Sequence, residues 1–391
     1  MLKKILSVAL LLALGACGKP EVQFAPVNFV ADGKPAKLSD WQLIKSNGAK
    51  LKLNTGVEPY ELNSPLFSDY AHKLRTVWMP AGQSARWSQD QAFDFPVGTV
   101  ISKTFYYPKG SGETLVKSVS DTGAELVNGE LDLSKNRLIE TRLLVRRAEG
   151  WVAMPYVWNA EQTEATLSRT GDQAQLDLEG QKFTYVVPNE NQCASCHMEH
   201  YNKSKALEPI GPKARHLNRE LFGENQLARL VRVGYLSGVP GMADKGAAPL
   251  SAAELAALPR NADWHDAKQP IEARARAYLD INCAHCHNTV GPASTTALNL
   301  QPFMAPDLHL GLCKPPVAAG KGTGNRLFDI VPGDPDASIM LYRLASAEAG
   351  EMMPELGRST AHTEGVALIR EWVAAMKGGC EPATQQQQNT K

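Results

Sequence analysis

Two five-residue segments constrain this chain more than any bulk property does: Cys193-Ala194-Ser195-Cys196-His197 and Cys283-Ala284-His285-Cys286-His287. In each, two cysteines three positions apart are followed at once by a histidine. Residues i, i+3 and i+4 of a helical turn share one face, so each segment can present two thiols and an imidazole on one side of a short stretch of backbone. Such a segment can bond covalently at two points and coordinate at a third. Of the seven cysteines, at 17, 193, 196, 283, 286, 313 and 380, these segments take four.

CxxCH is the attachment pattern of c-type haem. The two thiols reach the vinyl groups on one porphyrin edge, and the next residue sets an imidazole nitrogen against the iron. The sequence therefore predicts two haem c cofactors, bonded to Cys193, Cys196, Cys283 and Cys286, with His197 and His287 as proximal ligands. A zinc ribbon is a poor alternative, because the two CxxC pairs lie 90 residues apart (283 minus 193), against roughly 15–20 in zinc ribbons. A thioredoxin-like redox pair fits no better, since neither motif sits in a βαβ pattern and each carries the extra histidine.

The start of the chain, MLKKILSVALLLALGAC, reads as an export signal: Lys3 and Lys4, then an apolar run from Ile5 to Leu14. Ten apolar residues fall short of the ~20 that span a bilayer as a helix. Loss of residues 1–16 removes two of the 41 basic residues and no acidic one, leaving 39 against 41 acidic. With that balance, nothing points to nucleic acid. In an exported protein, Cys313 and Cys380 are expected to pair as a disulfide tying a loop to the C-terminus.

At 391 residues the chain calls for about two to three domains. Residues 17–40 read as a tether. Residues 41–188 carry short runs rich in Val, Thr, Tyr and Trp, such as VGTVISKTFYY and WVAMPYVW, and predict a β-sandwich or open barrel. Residues 189–268 form a first haem domain with a helix in 216–234 that puts Leu227, Leu230 and Val231 on one face. Residues 269–380 form a second, with a helix leading into the motif from 271 and an amphipathic helix in 362–376 whose stripe is Val366, Ile369, Trp372, Val373 and Met376. The tail, 381–391, is polar and of low complexity. The expected fold class is α+β multidomain: a β-rich, sandwich- or barrel-like N-terminal domain, then a mainly α cytochrome c-type haem region.

The sixth iron ligand separates carriers from catalysts, because an iron coordinated on both sides transfers electrons and one with an open side binds or activates small molecules. For the first haem, Met242 in GVPGMADKG is the leading candidate, with His216 and His200 as alternatives. A histidine such as His216 or His265 is more often a surface residue than a ligand, and Met198 is too close to His197 to reach the opposite side of the iron.

The resemblances follow from these residues. LGAC resembles the lipobox of bacterial lipoproteins, which implies lipidation of Cys17 and, with Gly18 after it, the outer membrane. Residues 271–377 resemble class I cytochromes c, with Tyr278 and Leu279 facing the C-terminal helix. GEMMPELG resembles the loop that presents a methionine before a proline, which makes Met353 the ligand of the second iron, or else Met352. Together these resemble the lipoprotein-type di-haem c-type cytochromes of Gram-negative bacteria. The resemblance implies a periplasmic, lipid-anchored electron carrier with redox partner proteins. Two other functions stay open: a di-haem peroxidase with one open haem, and a β-domain that docks a dehydrogenase while the haems relay its electrons.

Overall fold

The computed structural model describes residues 21–117, 125–199, 206–241, 250–317 and 320–381. Cys17, His200 and Met242 lie outside them. In chain order the first strands are β1 (Ile44–Ser46), β2 (Lys50–Leu53), β3 (Glu58–Tyr60), β4 (His72–Trp78), β5 (Ala85–Arg86), β6 (Val100–Pro108), β7 (Leu126–Val127), β8 (Glu130–Asp132), β9 (Asn136–Arg147), β10 (Gly150–Trp158), β11 (Ala165–Leu167), β12 (Asp172–Leu178) and β13 (Gln181–Val187). They form a six-stranded antiparallel sheet, β11-β10-β9-β6-β4-β3, a four-stranded sheet, β1-β2-β8-β7, and a β12-β13 hairpin. The fold is mixed α/β and rich in sheet.

Strand alternation sends successive side chains to opposite faces of the large sheet. One face carries Leu74, Val100, Tyr106, Leu143, Val145, Met154, Tyr156 and Trp158, which pack with Ile44, Leu51, Leu53, Leu126 and Leu131 of the small sheet. This is the interior of a β-sandwich. The segment read as a tether is part of it: Val27, Phe29 and Val30 lie against this core and Leu38 and Trp41 are fully buried. Trp41 donates to the Tyr156 hydroxyl at 2.9 Å, which in turn donates to the Pro35 carbonyl at 2.9 Å. Val27, Phe29, Val30 and Leu38 outweigh the Pro, Gly and Lys of that segment, and Trp41 follows at its end.

After β13 come α1 (Glu190–His197), β14 (Met198–Glu199), β15 (Ala206–Leu207), α2 (Ala214–Leu217), β16 (Glu220–Leu221), β17 (Glu224–Asn225), α3 (Gln226–Arg232), β18 (Leu236–Ser237), α4 (Ala252–Ala257), α5 (Ile271–Asn282), α6 (Ile339–Ala345) and α7 (Thr363–Ala375). This half is less helical than expected. Over the described residues as a whole strand exceeds helix, 27% to 21%, and this half gives no sign of the mainly α cytochrome c haem region expected: between its short helices the chain runs through loops punctuated by Gly and Pro. The expected helices are present: α3 buries Leu227 and Leu230, and α7 buries Ile369, Trp372 and Val373. α5 ends before its cysteine motif. It crosses α7 at Gly365, where any Cβ would collide with the Tyr278 ring and hydroxyl, so only glycine admits the close approach. Cys313 and Cys380 form the expected disulfide, with Cα atoms 5.3 Å apart.

The second face of the large sheet is not left to solvent. Val77, Ile101 and Leu144 pack with Ala214, Leu217, Leu227, Leu230 and Ile281 from the C-terminal half. A strap, residues 61–71, then threads the two halves together. Asn63 donates from its side-chain amide to the carbonyls of Arg215 (2.9 Å) and Asn261 (3.2 Å), and Ser64 donates to Ala262 (2.7 Å). The Phe67 N–H donates to Asn282 Oδ1 at 2.9 Å, and its ring stacks on His362 with centroids 4.1 Å apart. The Tyr70 hydroxyl donates to Glu364 at 2.7 Å.

His362 is the titrating point of this junction. Burial pushes its imidazole down to about 3, below the ~6.5 of an unfolded histidine. The unfolded chain therefore binds the extra proton, so this contribution falls as pH drops from about 6.5 towards 3 and is constant above. Urea unfolding across that range should show stability rising with pH, and His362→Phe, which keeps the stack on Phe67, should reduce the slope by up to one proton.

Candidate functional site

The first motif lies on α1. Asn189 caps this helix reciprocally: its side chain accepts from Gln192 N–H at 2.9 Å, and Gln192 Oε1 accepts from Asn189 N–H at 2.9 Å. That fixes where the first turn starts, and Cys193, Cys196 and His197 fall at the i, i+3, i+4 positions of the helix. The second motif follows α5 as a tight turn, with the N–H groups of Cys286 and His287 donating to the Cys283 carbonyl at 3.1 and 2.9 Å. Asn288 locks that turn: its amide donates to Ala284 O at 2.7 Å while its oxygen accepts from Val290 and Gly291 N–H at 2.8 and 2.7 Å.

Both motif histidines are held in the same tautomer. His197 Nδ1 lies 3.0 Å from the Glu208 carbonyl, which can only accept, so Nδ1 carries the proton. His287 Nδ1 lies 3.1 Å from Thr296 Oγ1, whose own proton goes to Ala293 O at 2.7 Å, so this Nδ1 is the donor too. In each ring the lone pair sits on Nε2. Burial pushes both imidazoles down to about 4, so both are neutral at pH 7. A neutral ring with its other nitrogen committed to an outer partner is the usual state of a metal-ligating histidine.

The two motifs abut. Cys196 Sγ, Cys286 Sγ and a His285 ring nitrogen all lie within 4.8 Å of one another, and Cys286 Sγ lies 3.8 Å from the Ser195 carbonyl. Hydrogen bonds from Cys286 and His285 pull the Cys196 thiol down, and the same contact pushes Cys286 up. Burial raises Cys193, and pushes Cys283 up to about 12. Beside them lies a cavity of about 280 Å³ with a largely polar wall, where Gln91, Glu208, Lys213 and Asn288 stand beside His197 and Ile210. Four thiols and two preset imidazoles are the donor types that two covalently held haems would use.

Among the sixth-ligand candidates, Met353 lies in a loop built against the second motif. Its N–H donates to Arg343 O at 3.0 Å and its carbonyl accepts from Arg358 at 2.8 Å. Arg343 acts electrostatically on His287, Glu355 on Cys286 and Arg358 on Cys283. Met352 shares this loop, its N–H donating to Glu348 O at 2.9 Å. His216 is committed elsewhere: its Nε2 donates to Asp280 at 2.8 Å in a buried network where Arg215 (2.7 and 2.9 Å) and Asn261 (2.7 Å) meet the same carboxylate. It is 3% exposed, not the surface residue its isolation in sequence suggested. His265 is half-buried: its side chain is 28% exposed, lies against Trp264 and has its Nε2 covered.

Sequence reading missed Thr296, Glu208, Arg358 and Asp69. The first two act through a single hydrogen bond that no spacing announces. Asp69 shapes the methionine loop from the opposite half of the molecule: it accepts from Ser359 N–H at 2.8 Å, Thr360 N–H at 2.7 Å and Thr360 Oγ1 at 2.8 Å. Burial nevertheless raises its carboxyl, so those donors are what make its burial tolerable. No family model, curated protein or solved structure matches the chain.

Removing the carboxylate leaves three donors without a buried acceptor. Asp69→Ala should lower the unfolding free energy by about 2–4 kcal/mol, and Asp69→Asn, which keeps one acceptor oxygen, should lose less; equal stability of all three proteins in urea unfolding would deny Asp69 this role.

Proposed function

We propose that this protein is an electron carrier holding two covalent c-type haems, exported and anchored by a lipid on Cys17. The observation that carries the reading is the preset tautomer of both motif histidines. A histidine that merely fills a core needs no particular nitrogen free, yet His197 and His287 each give the Nδ1 proton away and keep the Nε2 lone pair. Haem bound at these residues would supply a one-electron couple.

The chain's own groups fit that role. Cys193 and Cys196, and Cys283 and Cys286, would hold each macrocycle by two thioethers. The Glu208 carbonyl and Thr296 hydroxyl orient the proximal rings and raise their basicity. Met353 is the proposed second ligand of the haem at His287, which would favour a high potential. For the haem at His197 the proposed ligand is Met242, and an open side there would favour a peroxidase instead. The close approach of the two motifs suits rapid exchange of electrons between the sites.

A second reading has its own observation. Cys196, Cys286 and His285 are gathered as three soft ligands, a set that suits zinc or another thiophilic ion. It leaves Cys193, Cys283 and both preset histidines without a task.

Purified protein from a host that matures cytochromes c should give two haems per chain by pyridine haemochrome, and the reduced form should not respond to carbon monoxide. Zinc without haem would establish the metal reading; a carbon monoxide shift in one haem would move the protein to the peroxidase class. Labelled palmitate should enter the wild-type chain and not Cys17→Ser.

A further inference from the structure

The second face of the large sheet is apolar at both ends and charged across its middle. At one end Val77, Ile101 and Leu144 stand side by side; at the other Phe105 and Val157 join a cluster with Tyr185. Between them the register sets Arg75 opposite Lys103 and Lys103 opposite Arg142, a row of three cations across adjacent strands β4, β6 and β9. Lys73 lies in the next row, opposite Phe105.

Like charges directly opposite in a sheet destabilise it, and half-buried ones do so more. Glu140, fully buried, answers part of this charge, accepting from Arg142 at 2.8 and 2.5 Å and from the Tyr185 hydroxyl at 2.7 Å. Glu61 lies 3.5 Å from Arg75. The Lys103 ammonium lies 5.5 Å from the Phe105 centroid, and burial together with the cations of Arg142, Arg75 and Lys73 pushes it down to about 7. A purely structural sheet face would gain by a neutral residue there.

The row also lies next to the first cysteine motif. α1 packs on β10, the neighbour of β9, and Arg142 acts on Cys193 and Lys103 on His197. We propose that Lys103 and Arg142 form a carboxylate-binding floor for the haem held by Cys193, Cys196 and His197, receiving its propionates against the β-domain. This assigns the β-domain a part in the redox site: one wall of it, and a source of positive charge that favours the reduced haem. Arg142 gives Nε and Nη2 to Glu140 and would meet a carboxylate with the other edge of its guanidinium, while Lys103 adds a point charge.

The inference rests on the haem reading, and the test separates the two. Wild type, Lys103→Met, Arg142→Gln and Arg142→Lys are prepared as holoproteins, their haem content is fixed by intact mass, and both midpoint potentials are followed by spectroelectrochemical titration. Wild type without covalent haem defeats the haem reading itself. With two haems in every protein, the expected result is that Lys103→Met and Arg142→Gln lower one potential while the other holds, and that Arg142→Lys restores most of the loss. Arg232→Gln, a change to an exposed cation paired with Glu224, should move neither. Two-haem variants at Lys103 and Arg142 with both potentials unchanged would overturn the proposal. Should Arg142→Gln fail to fold for want of its Glu140 pair, Lys103→Met, which relieves repulsion, decides the question.

Discussion

The structure depends on a six-stranded antiparallel sheet that must be covered on both faces. Antiparallel sheets commonly leave one face to water, and this one cannot: Val77, Ile101 and Leu144 on its second face are 2–8% exposed, packed against Leu217, Leu227 and Ile281. The C-terminal half is short of continuous secondary structure, and uses the sheet as the rigid surface its loops are laid upon. The two halves are therefore joined by a shared core, and the sequence order of domains understates how far they depend on each other.

The strap at 61–71 converts that shared core into positional control. Asn63 and Ser64 grip the segment before α5, Phe67 takes Asn282 at its end, and Asp69 grips the methionine loop. These contacts reach both sides of the second cysteine motif, so a change in the strap would be felt at His287 and Met353 together. Asp69 and Tyr70 both adopt positive φ, 47° and 60°. Such backbone is tolerated where surrounding contacts over-determine it, and here Ser359, Thr360 and Tyr107 hydrogen-bond to Asp69 and Thr363 and Glu364 to Tyr70.

What could be read from the sequence was what repeats at short range. Cysteine and histidine spacing, the stripe on α7 and the Val-, Thr-, Tyr- and Trp-rich runs that become β6 and β10 are each carried within about a dozen residues, and each reappears in the structure. The disulfide was legible by elimination of the other cysteines. The row of Arg75, Lys103 and Arg142 was not, because its members are 28 and 39 residues apart (103 minus 75, 142 minus 103) and become neighbours only through strand register. The strap was invisible for a different reason: its polar residues bond to backbone carbonyls far along the chain, and no periodicity marks such partners. The helices of the C-terminal half were over-extended in the reading, since α5 stops at Asn282 and its motif is built as a separate turn.

The histidines show how far local chemistry must be followed before a role can be assigned. Desolvation lowers the imidazoles of His197, His216 and His287 alike, although only His216 is fully buried, so that shift alone does not mark a ligand. The partner of each ring decides between them. His216 gives its Nε2 proton to Asp280 and is held in a network with Arg215 and Asn261, where it supports the junction of the halves. His197 and His287 give away Nδ1 and direct Nε2 away from their partners. The same residue type thus serves structure in one place and, on the proposed reading, would serve coordination in the others, and what distinguishes them is whether the ring's outer partner leaves the Nε2 lone pair or binds it.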